Sequence, residues 1–293
     1  MDDKSIANMA VLAGEIMLRS GAETYRVEDT IKHILDTAGE SGGDRGDGSS
    51  GTGAGGTVNA RANGTSPSRR AESAGAVRTE SLVMLTGIIV TIERPGQEAV
   101  TVMRRVHDRG TNMHRIVEVN EISRKYCARE LSAEETWEKL KSIKGRQYTV
   151  WMYNIATVLV PAGFAPLFGG GPGEIPAAAA VGILLAVIMT IGKRLRISSF
   201  ILNMICAGGV AAAAMALKAW NSALNMDTVI ISGIMTLVPG VAITNAIRDT
   251  LRGDYISGGA RALEAFVTAA AVAIGAGVGI AAMNVFWRGG GLL

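Results

Sequence analysis

Residues 233–249 read GIMTLVPGVAITNAIRD. The first part is apolar enough to sit in a membrane. Pro239-Gly240 then interrupts it, and Asn245, Arg248 and Asp249 follow within three turns. Proline has no N–H to give the carbonyl of Met235, and its ring crowds that turn. Gly240 lets the chain bend and lets other groups approach closely. In hydrocarbon, backbone groups freed by such a break must find partners or line a cavity. A break near midspan leaves the positive end of a half-helix inside the bilayer, a ready site for an anionic group such as a carboxylate.

The rest of the chain supplies the setting. It has 293 residues, 48% hydrophobic and 19% charged, with a formal net charge of +3. Most of the charge precedes Gly145 and most of the apolar surplus follows it. That split argues against a nucleic-acid binder and for a soluble half joined to a membrane half. Cys127 and Cys206 lie far apart in different halves, which is neither a disulfide framework nor a metal motif. The start, MDDKSIANMAVLAGE, puts acids before its apolar residues and lacks the basic region of a secretory signal, so the N-terminus is expected in the cytosol.

In the first half, Ile6, Met9, Ala10, Ala13, Ile16 and Met17 recur at helical spacing, and Ser20-Gly21 ends that helix. A second helix is predicted from Glu23 to about Ala38, with Val27, Ile31, Ile34 and Leu35 on its apolar face. Residues 39–76 are dominated by Gly, Ser, Thr and Ala, too poor in apolar bulk to offset ordering, and are expected to be a disordered insert. RGD at 45–47 and NGT at 63–65 within it read as chance matches. SLVMLTGIIVTI (81–92) and EAVTVMRRV (98–106) read as two strands of a hairpin around Pro95-Gly96. A helix near Met113–Ala128 follows, and Ser132-Ala-Glu-Glu135 forms a capping box that opens another to about Ile143. Residues 1–145 are thus expected to be a small cytosolic α+β domain.

Residues 146–293 carry five apolar stretches, near 148–168, 175–192, 199–219, 228–247 and 259–287, each close to the roughly 20 residues a bilayer requires. The fold class is therefore a mainly α-helical membrane protein, a five-helix transmembrane bundle preceded by the α+β domain. Lys193, Arg194 and Arg196 follow span two, and Arg248, Arg252 and Arg261 follow span four. Lys139, Lys141, Lys144 and Arg146 precede span one, while Lys218 and Arg288 are the positives on the other face. This bias places the N-terminus inside and the C-terminus outside. Tyr148, Trp151 and Tyr153 suit the inner interface, Trp220 and Trp287 the outer one.

Three histidines offer little chemistry. His33 reads as solvated; His107 and His114 flank a loop with Asp108, half of a metal or acid/base site without a third ligand at suitable spacing. No phosphate loop or nucleophile elbow appears, so neither metal nor cofactor is expected, and an enzyme is disfavoured. In RSGAETYRVEDTI (19–31), Glu23 and Arg26 stand three apart on a helix. They read either as surface ion pairs on a capped helix or as a docking surface for the membrane part. Beyond the break, Asn245, Arg248, Asp249 and Arg252 share a helical face. A helix from near Ser257 stripes Arg261, Glu264 and Thr268, with Glu264 about two turns inside span five. Arg252, Asp254 and Arg261 fit the headgroup region. Asp249 and Glu264 are the functional acids, since acids in or near a membrane are costly and usually serve transport. Arg248 is the partner expected for either. Asn154 and Asn203 are candidates too, or interhelical hydrogen-bond glue, and Gly275 and Gly279 suggest close helix packing.

RSGAETYRVEDTI together with LVPGVAITNAIRDTLRGDYISGGARALEA (237–265) resembles the threonine/serine exporter family, and specifically its larger N-terminal component. Residues 111–140, TNMHRIVEVNEISRKYCARELSAEETWEKL, are similar to the segment that precedes the first span there. The resemblance covers the chain outside 39–76. It implies a cytosolic domain before about five spans and secondary export of small polar metabolites: threonine and serine, or dicarboxylates such as succinate in two-component members. It also implies a separate small membrane component as partner, in a bacterial or archaeal plasma membrane, with a homo-oligomer possible. Carried onto this chain, it makes Pro239, Gly240, Thr244, Asn245, Arg248, Asp249, Arg261 and Glu264 candidates for the path or binding site, with Asn203 added. Arg19, Glu23, Tyr25 and Arg26 are the cytosolic docking candidates. The alternative of another class is a membrane-anchored cytosolic enzyme or sensor built on His107, Asp108 and His114.

Overall fold

The computed structural model describes residues 2–42, 77–107, 109–143 and 148–289. The greater part of the glycine-rich insert, with the RGD and NGT triplets, lies outside the described residues, as do Asp108, Lys144, Arg146 and the side chain of Arg288. Two units divide the chain, Met1–Ile143 and Lys144–Leu293.

In the first unit, α1 (Asp3–Arg19) is opened by the Asp2 side chain, which accepts from the Ser5 N–H, and closed by Ser20 and Gly21. Gly21 has φ +85°, a conformation that costs glycine least, and a Cβ there would sit 3.0 Å from the Gly110 carbonyl oxygen. The N–H groups of Gly110 and Asn112 donate to the carbonyls of Arg19 and Ser20, tying the loop before α3 to this turn. α2 (Thr24–Gly42) runs four residues past the expected Ala38. At Gly14 a side chain would collide with Ile31 Cδ1 at 2.6 Å, so glycine lets α1 lie close on α2. Met9, Met17, Leu18, Val27, Ile31, Ile34, Ile88, Val90, Val119 and Leu140 fill the core.

The expected hairpin is a three-stranded antiparallel sheet in the order β1-β2-β3. β1 (Arg78–Met84) and β2 (Gly87–Glu93) come from what reads as one strand, folded back at Leu85-Thr86 with Met84 opposite Gly87. β3 (Val100–Arg105) follows the Pro95-Gly96 turn, where Gly96 has φ +77°. A single strand keeps its buried side chains on one parity. Here burial passes from Val83, an odd position, to Ile88, Val90 and Ile92, all even. The unbroken run Leu82-Val83-Met84-Leu85 hid that change. α3 (Met113–Cys127) and α4 (Ala133–Ser142) complete the unit. The Ser132/Glu135 capping box is present, and its hydrogen bonds hold the Glu135 carboxyl below the usual range.

In the second unit, α5 (Val150–Leu167), α6 (Glu174–Arg194) and α7 (Ser199–Trp220) are each long and apolar enough to cross a bilayer, as is α10 (Tyr255–Gly289). Span four is not one helix. α8 (Met226–Ile234) and a 3₁₀ turn (Met235–Leu237) precede α9 (Gly240–Leu251), and the pair is bent by 60°. At the standard rises, α8 and its 3₁₀ turn cover about 20 Å, and α9, tilted by 60°, adds about 9 Å. Together the two pieces have about the length that a hydrocarbon core of about 30 Å requires. Counted as one crossing, the pair brings the spans to five.

Small residues set the helix spacing, because van der Waals contact and hydrogen bonds drive association inside a membrane. A Cβ at Gly275 would strike the Met204 carbonyl oxygen, and one at Gly279 the Gly208 carbonyl, so α7 and α10 pack backbone to backbone. This is the close packing expected of Gly275 and Gly279. Gly182 similarly admits the Val158 backbone of α5, where a Cβ would lie 2.9 Å from its Cα. Between α5 and α6 the Thr190 hydroxyl donates to Asn154 Oδ1 at 3.2 Å, the hydrogen-bond glue anticipated for Asn154. At the Lys218 end of α7, Lys218 Nζ donates to the Ser222 and Leu224 carbonyls, and the Asn225 N–H donates to Glu174.

Candidate functional site

The break is built as the sequence suggests. Val238 is extended, Pro239 stands at the N-cap of α9 with φ −80° and ψ 54°, and no side chain caps the helix. The first N–H groups of α9 therefore lack a side-chain acceptor from their own cap, and the positive end of its dipole is unmasked. Gly240 is exposed, and a Cβ there would meet nothing within 4 Å. Thr244, one turn on, donates its hydroxyl back to the Gly240 carbonyl and is exposed.

The opposite face of α9 buries Asn245, Ala246 and Asp249 against α10. Gly258 makes that approach possible: a Cβ there would strike the Thr250 hydroxyl and lie 3.1 Å from the Ala246 carbonyl oxygen. Arg261 Nε stands 3.0 Å from Asp249 Oδ2, and the two side chains are only 7% and 1% exposed. Ser257, one turn before Arg261, is as buried as Asp249, and its hydroxyl has no hydrogen-bond partner among the described residues. Thr236, in the turn before the break, likewise has a buried hydroxyl without one. Four polar side chains, Asn245, Asp249, Ser257 and Arg261, thus lie buried where two helices meet.

The structure places the expected charges as follows. Asp249 points at α10 and pairs there with Arg261, while Arg248 lies on the exposed flank of α9. Arg261, expected as a charge in the headgroup region, is buried against protein on α10, which begins at Tyr255. Of the two acids, Asp249 is buried and Glu264 is exposed. Glu264 also borders the uncharged run 265–287, which at helical rise is about 34 Å and spans the hydrocarbon by itself. Ser257 was missed. Its signal was the i, i+4 spacing to Arg261 and Ala265 on a stripe of small residues, opposite Leu263 and Phe266. Asn203 is half-buried on α7.

In the first unit, Arg19 pairs with Glu15 at 3.4 Å, and Arg104 approaches the same carboxylate at 3.7 Å. Glu23 is only 8% exposed, so it is not the surface charge its sequence context suggests; Tyr25 and Arg26 are exposed. His33 pairs loosely with Asp29, and His114 Nε2 stands 3.3 Å from Glu118 within α3. Among the described residues no group of three His, Cys, Asp or Glu side chains is placed to hold a metal ion.

Against known proteins, the chain is 26% identical over 199 residues to the "Probable succinate transporter subunit YjjP" of Klebsiella aerogenes, covering 67% of this chain and 76% of that protein. No solved structure matches it. The family model described as "Putative threonine/serine exporter" matches residues 64–283, which include the first four spans, the whole break and most of α10. With its apolar helices, a broken fourth span and a buried ion pair beside it, the chain is a multi-pass membrane protein that belongs to the threonine/serine exporter family.

Proposed function

We propose that the chain is a subunit of a secondary transporter that exports small polar metabolites, threonine and serine first among them, across a bacterial or archaeal plasma membrane. The observation that carries this is the Asp249–Arg261 pair, buried at 3.0 Å beside a broken span. A buried ion pair is poor at stabilising a fold, because the desolvation of both charges consumes most of the attraction. In membranes such groups mark solute paths. A zwitterionic amino acid brings one ammonium for Asp249 and one carboxylate for Arg261. It can replace the internal pair without changing the net charge of the site, and Asn245 and Ser257 are within the same buried cluster to meet a side-chain hydroxyl. At the start of α9 the Gly240 N–H donates to the Val238 carbonyl, and the N–H groups of Val241 and Ala242 face a carboxylate on the way in. Lys193, Arg194, Arg196 and Arg252 sit at the ends of α6 and α9 and are exposed, which favours a cytosolic N-terminus. A separate small membrane component is the partner.

A second reading is dicarboxylate export, favoured by the name of the Klebsiella relative. A dicarboxylate adds two negative charges to a pair that is already neutral, so Arg248 would have to supply a second cation. Efflux of radiolabelled threonine, serine and succinate from cells expressing the chain with its companion component separates the two. Amino-acid efflux that falls to background in Asp249→Asn, with normal membrane insertion, is the expected result. Efflux of all three solutes at background in the wild type would overturn the transporter reading.

A further inference from the structure

In the first unit β3 is an edge strand, since the order β1-β2-β3 leaves it one neighbour. The Val106 N–H donates to the Thr86 carbonyl in line with the β2–β3 register, so the even-numbered residues of β3 turn their main-chain groups toward β2. Thr101, Met103 and Arg105 turn theirs to the open side, where among the described residues their N–H groups meet no main-chain acceptor. Such an edge is a template for another strand unless proline, a bulge or inward charge blunts it. Val100–Met103 has no proline, charge or bulge, and the inward Arg104 is drawn to Glu15 at 3.7 Å. The side chains of Thr101, Met103 and Arg105 stand on the outer face of the sheet. There Leu82, Ile89 and Met103 lie side by side across the three strands, with Leu82 54% and Met103 71% exposed, and this apolar row runs off the sheet at the β3 edge. Beside it Glu80, Thr91 and Thr101 form a second row, in which the two threonine hydroxyls are bonded at 3.0 Å.

We infer that β3 pairs antiparallel with β3 of a second copy of this chain, about a twofold axis through Met103, so that the two sheets become one. In that register Met103 opposes its own copy and Thr101 opposes Arg105, and each of these opposed pairs exchanges both of its main-chain hydrogen bonds. The apolar row then runs unbroken from Leu82 of one chain to Leu82 of the other. A slip of two residues in either direction would set Met103 against Thr101 or Arg105 and break it, and a slip of one would turn the side chains to the other face. The same twofold brings Arg105 to the end of the second copy's Glu80–Thr91–Thr101 row, where its guanidinium reaches over two small hydroxyl side chains toward the Glu80 carboxylate. Arg104 faces Val102, so no like charges oppose each other within the paired strands. The surface that matches this edge in hydrogen bonds, apolar row and charge is therefore the edge itself. The pairing does not depend on what the chain transports.

The test uses the full-length protein in its native membrane, with Cys127 and Cys206 replaced by alanine, and is scored on protein that extracts folded and monodisperse. Across a hydrogen-bonded pair the two Met103 Cα atoms stand about 5.5 Å apart, within disulfide reach. Thr101 lies four residues along the strand from its own copy, about 14 Å, and out of reach. We expect mild oxidation to cross-link Met103→Cys into a covalent dimer and to leave Thr101→Cys monomeric. Thr101→Cys co-expressed with Arg105→Cys should cross-link as a mixed pair. Thr101→Pro removes one outward N–H and leaves the ladder to β2 intact, a change that edge strands tolerate, and added to Met103→Cys it should abolish the dimer. Arg105→Glu sets like charges on one row and should lower the Met103→Cys yield roughly fivefold, and Glu80→Arg added to Arg105→Glu should restore it. Met103→Cys chains that stay monomeric overturn the inference. So does Thr101→Cys cross-linking as efficiently as Met103→Cys, or a dimer yield that neither Thr101→Pro nor Arg105→Glu lowers.

Discussion

Helix α10 meets two neighbours in opposite styles. Against α7 it packs through Gly275 and Gly279, so closely that added side chains would overlap the Met204 and Gly208 backbone. Against α9 it packs through a buried polar cluster centred on Asp249 and Arg261. The first seam gains from every atom in contact and has no room to move without losing all of it. The second holds desolvated charge that a solute or a proton can compensate equally well. One helix thus carries a fixed wall along one edge and an exchangeable one along another, and the difference lies in residue type rather than helix geometry.

Four substitutions break or sharpen that contrast. Gly275→Leu has the largest expected effect: it drives a side chain into the α7 backbone, and little folded, monodisperse protein should survive detergent extraction, whereas Gly163→Leu should extract like wild type. Arg261→Gln leaves Asp249 buried without its cation and should cost about 3–5 kcal/mol in thermal or denaturant unfolding. The neutral double variant Asp249→Asn/Arg261→Gln should recover most of that loss, and a double variant as unstable as the single would place the pair among structural contacts. Ser132→Ala removes a cap from α4 and should cost about 1 kcal/mol, read as roughly fivefold faster amide exchange in α4. Because the capped Glu135 carboxyl titrates below its unfolded value, its contribution is present above the unfolded pKa and is lost as pH falls through the folded one. The wild-type protection of α4 should therefore weaken in acid, and the Ser132→Ala difference should narrow with it. Thr190→Val, in the α5–α6 seam, should be the mildest, about 0.6 kcal/mol for one interhelical hydrogen bond, with efflux unchanged.

Much of this was legible in the sequence. Runs of apolar residues of bilayer length give the spans because lipid leaves a helix no other choice. Pro239-Gly240 gives the break because proline withdraws a donor that hydrocarbon will not replace. The pairing of Asp249 was not legible from spacing on α9 alone. Spacing names neighbours on one helix, and by that measure Arg248 is adjacent; it does not say which helix lies across the buried face. The stripe Ser257, Gly258, Arg261 and Ala265 held the answer, small residues around one arginine with Leu263 and Phe266 turned the other way. Glu264, expected as the second functional acid, stands exposed on α10, off that buried stripe. The extra strand escaped for a similar reason: four consecutive apolar residues mask a change of parity.

The most direct test of the exchangeable seam is efflux of threonine and serine by the neutral double variant Asp249→Asn/Arg261→Gln, expressed with the companion component and verified to be folded and inserted. With both charges gone and the fold retained, export should fall to background. Export at the wild-type rate would show that the buried pair only holds α9 to α10, and that solute travels elsewhere.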